Sequence, residues 1–182
     1  VLRCQAGDEA AFAELYRRFG PKTRRYLRGV LDEGPEDDVQ QEVWLTVYRR
    51  VHTLTNPGGF RTWLFQVTRN RAVDALRGMR REREMLDRVE REDPGPDDTA
   101  ERLDVDDEAI GAAMATLTAP HREVLLLRFW EDLSYPEIAL VTGAPLGTVR
   151  SRLAHAKWRL RDALASPLID ANATQNDKET ER

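Results

Sequence analysis

Apolar residues recur at helical spacing along almost the whole chain. Phe12, Leu15, Tyr16 and Phe19 fall at i, i+3, i+4 and i+7, the stripe of an amphipathic helix. Gly20-Pro21 interrupts that stripe, and Tyr26, Leu27, Val30 and Leu31 predict a second, shorter helix ended by Gly34-Pro35. Val39, Val43, Val47 and Val51 recur every four residues, joined by Trp44 and Tyr48, which predicts a helix over about 35–51. Asn56-Pro57-Gly58-Gly59 reads as a loop. Phe60, Trp63, Leu64 and Val67 then open a long helix that continues through Leu76 to about Met79 or beyond.

The pattern fails from Asp87 to Asp107, where Asp93-Pro94-Gly95-Pro96-Asp97-Asp98 has almost nothing to bury and cannot continue a helix. Periodicity returns with Ile110, Ala113, Met114 and Leu117. After Thr118-Ala119-Pro120 a further helix carries Val124, Leu125, Leu127 and Phe129. Ser134-Tyr135-Pro136-Glu137 has the form of a capping box, with a Ser N-cap and Glu three residues on; Pro136 is tolerated in a first turn that has no use for its missing N–H. That short helix ends at Gly143. Val149, Leu153, Ala156, Leu160 and Leu164 mark a longer one to about Ala165. The organisation expected is all-α: a domain over 1–86, an acidic linker over 87–108, a second domain over 109–165 and a disordered polar tail over 166–182. The linker composition predicts that the two domains behave independently.

Composition narrows the function. No apolar run approaches the roughly 20 residues of a membrane span, and the first residues lack the apolar core of a secretory signal, so no membrane insertion and a cytoplasmic location are expected. The single cysteine, Cys4, allows no intrachain disulfide and is expected at a frayed terminus. His52, His121 and His155 are too dispersed to suggest a metal site, and nothing calls for a cofactor. The net charge of −4 argues against nucleic acid until its distribution is read. Residues 61–83 hold seven arginines against two acids; residues 87–108 hold eleven acids against three arginines; residues 145–161 hold five basic residues and no acid. Basic segments separated by an acidic strip fit nucleic-acid contacts placed on distinct elements.

The helix over 135–141, the Gly-containing turn and the basic helix over 146–165 have the form of a helix-turn-helix. Val149 and Leu153 face inward, leaving Thr148, Arg150, Ser151 and Arg152 crowded at the exposed start, where recognition helices meet base edges. Lys157 and Arg159 lie farther along and suit phosphates. A generic helical hairpin with a solvated basic face is the plainer reading of the same spacing.

The residues themselves are identifiable. Leu125-Leu126-Leu127-Arg128-Phe129, Leu133-Ser134-Tyr135-Pro136-Glu137-Ile138-Ala139 and Gly147-Thr148-Val149-Arg150-Ser151-Arg152-Leu153 resemble region 4 of extracytoplasmic-function (ECF) sigma factors, which binds the minus-thirty-five promoter element. Asp37-Asp38-Val39-Gln40-Gln41-Glu42-Val43-Trp44 resembles region 2.2, and Trp63-Leu64-Phe65 with Arg69-Asn70-Arg71-Ala72-Val73-Asp74-Ala75-Leu76-Arg77 resembles regions 2.3 and 2.4. The likeness spans about residues 5–165 apart from the linker.

It implies a non-enzymatic initiation factor with two small helical domains. Asp38, Gln41, Glu42 and Leu45, which share one helical face, would dock on the β′ clamp helices of RNA polymerase core, with the β flap as a further contact. Trp63, Arg69, Asn70, Arg71, Asp74 and Arg77 would form the minus-ten reader, Trp63 being equally readable as core, with loop 52–59 helping to hold a flipped base. Thr148, Arg150, Ser151, Arg152, His155 and Lys157 would meet the minus-thirty-five element. Promoter DNA and polymerase core are the partners implied, and an anti-sigma factor is one the family admits. Ala154 and His155 stand where many relatives carry bulkier or more basic residues, and Thr142 where a larger apolar one is usual. The main rival is a stand-alone helix-turn-helix regulator, which leaves the first domain unexplained. A metal-dependent nuclease using Asp37, Asp38 and Glu42 lacks a histidine or lysine partner in that segment.

Overall fold

The computed structural model describes residues 1–31, 34–86 and 108–179, with side chains described to 165. Among these residues the chain is helical: α1 (Leu2–Gln5), α2 (Glu9–Leu31), α3 (Glu36–Arg50), α4 (Phe60–Leu86), α5 (Glu108–Ala115), α6 (Ala119–Leu125), α7 (Tyr135–Thr142) and α8 (Leu146–Glu179), with short 3-10 turns at Val51–Thr53 and Pro57–Gly59. Most of the linker, residues 87–107, lies outside the described residues.

Helices α2, α3 and α4 pack on one another to form the first unit. The valine stripe behaves as its spacing requires: Val39, Val43 and Val47 are buried against Tyr26, Leu27, Leu64 and Phe65. The break expected at Gly20-Pro21 does not occur, because α2 runs straight through it. A buried network holds the two halves of α2 in register. Gln40 Nε2 donates to the Gly20 carbonyl at 3.0 Å, Thr23 Oγ1 lies 3.0 Å from the same carbonyl and from Gln40 Oε1, and Trp44 Nε1 donates to Thr23 Oγ1 at 3.2 Å. One lost backbone donor costs less than the packing on both sides of it supplies.

The first residues also depart from expectation. They form α1, and Cys4 is buried in the core. Gln5 Nε2 donates to the carbonyls of Val51 (3.0 Å) and Leu54 (2.7 Å), which ties this segment to the turn after α3.

In the second unit α6 passes into a π turn at Leu126–Trp130, where the Glu131 amide bonds the Leu126 carbonyl at 3.2 Å. The helix-turn-helix forms as its residues dictate. Ser134 and Glu137 make the reciprocal capping box, and Gly143 closes α7 at φ +66, a left-handed position that costs glycine nothing. Thr142 is buried and donates to the Ile138 carbonyl at 2.8 Å, so the hydroxyl is satisfied where an apolar side chain was expected. Val149, Leu153 and Ala156 are buried. Helix α8 continues to Glu179.

The two units are docked rather than independent: α4 packs against α7, and α2 against α6. Their apolar residues form one continuous cluster.

Leu153→Ala should cost about 2–5 kcal/mol, the range for emptying a buried leucine site, and Ser134→Ala about 1 kcal/mol for the lost cap. Urea denaturation followed by circular dichroism measures both, and a Leu153→Ala effect under 1 kcal/mol would contradict this packing.

Candidate nucleic-acid interface

Three surfaces carry the residues singled out by the sequence. The first is α3. Asp38, Gln41, Glu42 and Leu45 are all exposed on one face, as their spacing requires, with Leu45 49% exposed. They border an open groove of about 820 Å³ whose walls also include Phe12, Tyr16, Trp44 and Tyr48. The ring of Phe12 meets those of Trp44 (6.0 Å) and Tyr48 (5.1 Å) edge-on, and Tyr16 meets Trp44 at 5.0 Å. Tyr16 and Tyr48 stay 49% and 55% exposed. The sequence reading placed these aromatics in the core stripe. The signal it passed over is that tyrosine suits an interface, with an apolar ring and a polar tip. The surface is thus an acidic rim over aromatic and aliphatic ground, a form suited to a basic helical partner.

The second surface is α4, and here the docking of the units intervenes. Arg69 Nε bonds Glu123 Oε1 of α6 at 2.8 Å, and Tyr26 donates its hydroxyl to the same oxygen at 2.7 Å. Burial, then the neighbouring Glu123 carboxylate, holds the Tyr26 hydroxyl well above its ordinary pKa, so it stays a proton donor. Thr62 donates to Glu137 (2.9 Å), Gln66 to the Leu140 carbonyl (3.0 Å) and Arg61 to the Asp132 carbonyl (3.3 Å). Arg71 turns the other way, to Thr46 Oγ1 of α3 at 3.1 Å. Asp74 and Arg77 pair loosely at 3.7 Å, and both are exposed, as is Asn70. Trp63 is half-buried and packs on Phe60 at 6.0 Å. Of the six residues expected on this surface, Asn70, Asp74 and Arg77 stand open to solvent, while Arg69 is engaged by the second unit. In the loop beside them, Asn56 Oδ1 accepts from the Gly58 amide at 3.0 Å and shapes the turn into α4.

The third surface is the start of α8. Arg150, Ser151, His155 and Lys157 are exposed, and Thr148 and Arg152 are partly so. Ser151 Oγ donates to the Thr148 carbonyl at 3.0 Å. Among the described residues this face stays largely open to solvent, while part of α4 is covered.

Residues 15–82 match the family described as "Sigma-70 region 2", and residues 107–160 the family described as "Sigma-70, region 4". The ECF RNA polymerase sigma factor RpoE of Cereibacter sphaeroides is 35% identical over 168 residues, covering 87% of this chain and 88% of its own length. The ECF RNA polymerase sigma-E factor of Escherichia coli K12 is 30% identical over 180 residues, covering 93% and 94%. Among solved structures, the sigma factor RpoE bound to the anti-sigma factor NepR from Bartonella quintana shares the fold, with a TM-score of 0.69 at 23% identity over 85% of this chain and 97% of that one. CnrH in complex with the cytosolic domain of CnrY gives 0.60 at 26% identity over 93% and 94%. The chain belongs to the ECF RNA polymerase sigma factors of the sigma-70 family, and its two helical units are regions 2 and 4. Such a factor directs RNA polymerase to promoters and is not itself an enzyme. None of the described helices is long and apolar enough to cross a membrane.

One acid at the junction titrates unusually. Glu131, 2% exposed, pairs with Lys22 of α2 at 3.2 Å, yet burial outweighs that partner and the nearby Arg25 and Arg61 and raises its pKa. An acid whose folded pKa is raised favours the folded state most when protonated. Its contribution therefore worsens as pH rises from the ordinary glutamate value through the raised one. Glu131→Gln should accordingly stabilise the protein at pH 7 and change little at pH 4. Thermal melts at the two values test this; destabilisation at pH 7 would show that the Lys22 pair outweighs the burial.

Proposed function

We propose that region 2 of this chain docks on polymerase core through the α3 groove, with Asp38, Gln41 and Glu42 meeting a basic helical partner and Leu45, Tyr16 and Tyr48 supplying the apolar contact. The β′ clamp helices are that partner, and region 4 takes the β flap. Asn70, Asp74 and Arg77 on α4, with Arg69, Arg71 and Trp63, read the minus-ten element. Thr148, Arg150, Ser151, Arg152, His155 and Lys157 read the minus-thirty-five element, with Arg150 and Ser151 nearest the bases. The work is done in the cytoplasm, where polymerase and promoter are met.

The observation that carries this reading is the coincidence, on α3, of the four residues expected to bind core with an unfilled aromatic groove. The cover on α4 adds an order of events. Arg69 cannot serve a phosphate while it holds Glu123, so minus-ten reading requires the two units to part. Core binding, which engages the open α3 and α8 surfaces separately, supplies the differential affinity that such a shift needs. An anti-sigma factor fits the same logic as a partner that favours an inactive arrangement; the similar CnrH is found in complex with the cytosolic domain of CnrY.

The double variant Asp38→Arg, Glu42→Arg tests the docking surface. Both sites are exposed, so the helical circular dichroism should be unchanged, with stability altered by about 0.5 kcal/mol or less per site. Core binding, measured by fluorescence anisotropy, and run-off transcription should both be lost. Wild-type affinity for core would contradict the assignment of α3.

A further inference from the structure

Beside the start of α8 lies a group of cationic and titratable side chains that has no acidic partner among the described residues. His121 on α6 stacks on His155 of α8, with ring centroids 4.8 Å apart and planes at 28°. Trp158, 52% exposed, lies 6.0 Å beyond His155. At 100° per residue, Thr148, Arg152, His155 and Arg159 fall along one flank of α8, beside the Val149/Leu153/Ala156 stripe that faces the core. His121 thus meets that flank from the neighbouring helix.

Among the described residues, the charged or titratable groups that bear on His121 are cationic when protonated: His155, Arg152 and Arg159. The charged residues of α6 itself face elsewhere. Arg122 donates to the carbonyls of Met114, Leu117 and Gly29, and Glu123 holds Tyr26 and Arg69, the groups that α2 and α4 bring to this junction. Among the described residues neither Arg152 nor Arg159 has an ion pair. Thr118 Oγ1 lies 2.9 Å from His121 Nδ1, which leaves Nε2 without a partner among the described residues. Burial, followed by these cationic neighbours, holds the His121 pKa below its ordinary value. A group of this kind is relieved by an anion.

We propose that His121 and His155, flanked by Arg152 and Arg159, form a proton-linked contact for a phosphate of duplex DNA, so that region 4 binds DNA more tightly as pH falls. The proposal rests on the reading of α8 as a DNA-contacting helix and extends it to His121, which lies outside the helix-turn-helix. The sign follows from linkage. The phosphate raises the imidazole pKa in the complex above its value in the free protein, so binding takes up a proton. Affinity then rises as pH falls through the bound-state value and levels off below the free-state one.

A phosphate contact is independent of sequence, so the probe is a mixed-sequence 24-base-pair duplex, titrated with the full chain by fluorescence anisotropy between pH 8 and 6 at constant ionic strength. Wild-type affinity should rise by about threefold to tenfold per pH unit, at most tenfold for each proton taken up. His121→Gln should flatten that slope with little change at pH 8. His121→Arg should bind more tightly at pH 8 and also show a reduced slope. A His121→Gln protein that keeps the full wild-type slope overturns the proposal even though it binds DNA. Failure of the wild type to bind duplex at any pH overturns the reading of α8 and the proposal with it.

Discussion

The carboxylate of Glu123 has to be satisfied where regions 2 and 4 meet, and the arrangement of the molecule follows from how that is done. One oxygen takes both the Tyr26 hydroxyl of α2 and the Arg69 guanidinium of α4. Removed from water without those donors, the charge would cost several kcal/mol. With them it fixes where α6 sits against region 2 and brings α7 over α4. A charged contact of this kind is strong only while water is excluded. It suits a docked state that has to come apart, since water can satisfy each group separately once the units separate.

The consequence for function is an asymmetry among the binding surfaces. The α3 groove and the start of α8 face solvent in the docked state, whereas α4 is partly covered. A partner that grips the two open surfaces at a separation the docked state cannot match would draw the units apart and free Arg69. On the proposed assignment of these surfaces, core engagement and exposure of α4 would be two aspects of one equilibrium, and the affinity of core for the chain would include the cost of undocking.

Much of this was legible in the residues because the relevant physics is local. Ser134 with Glu137, Pro136 in the first turn and Gly143 after the last specify the short helix on their own, and the Val149/Leu153/Ala156 stripe orients the helix that follows. The four-residue valine repeat did the same for α3 and left Asp38, Gln41, Glu42 and Leu45 facing out. The misses share a different cause. Periodicity reports that a face is buried, not what covers it. Arg69, Arg122 and Glu123 look in sequence like solvated residues, and only the packing of α2 and α4 against α6 and α7 makes them a junction. Gly20-Pro21 failed as a helix break, and Cys4 as a frayed terminus, for the same reason: partners distant in sequence, Gln40 and Trp44 in one case and the Val51–Leu54 turn in the other, hold them in place.

The docked state and its release by core are tested most directly by an intramolecular distance. Spin labels at Glu14→Cys on α2 and Lys157→Cys on α8, in a Cys4→Ser background, report the separation of the two units by pulsed dipolar spectroscopy. The docked account predicts one narrow distribution for the chain alone and a shift to longer distances on addition of polymerase core. A broad distribution for the chain alone, unchanged by core, would contradict it.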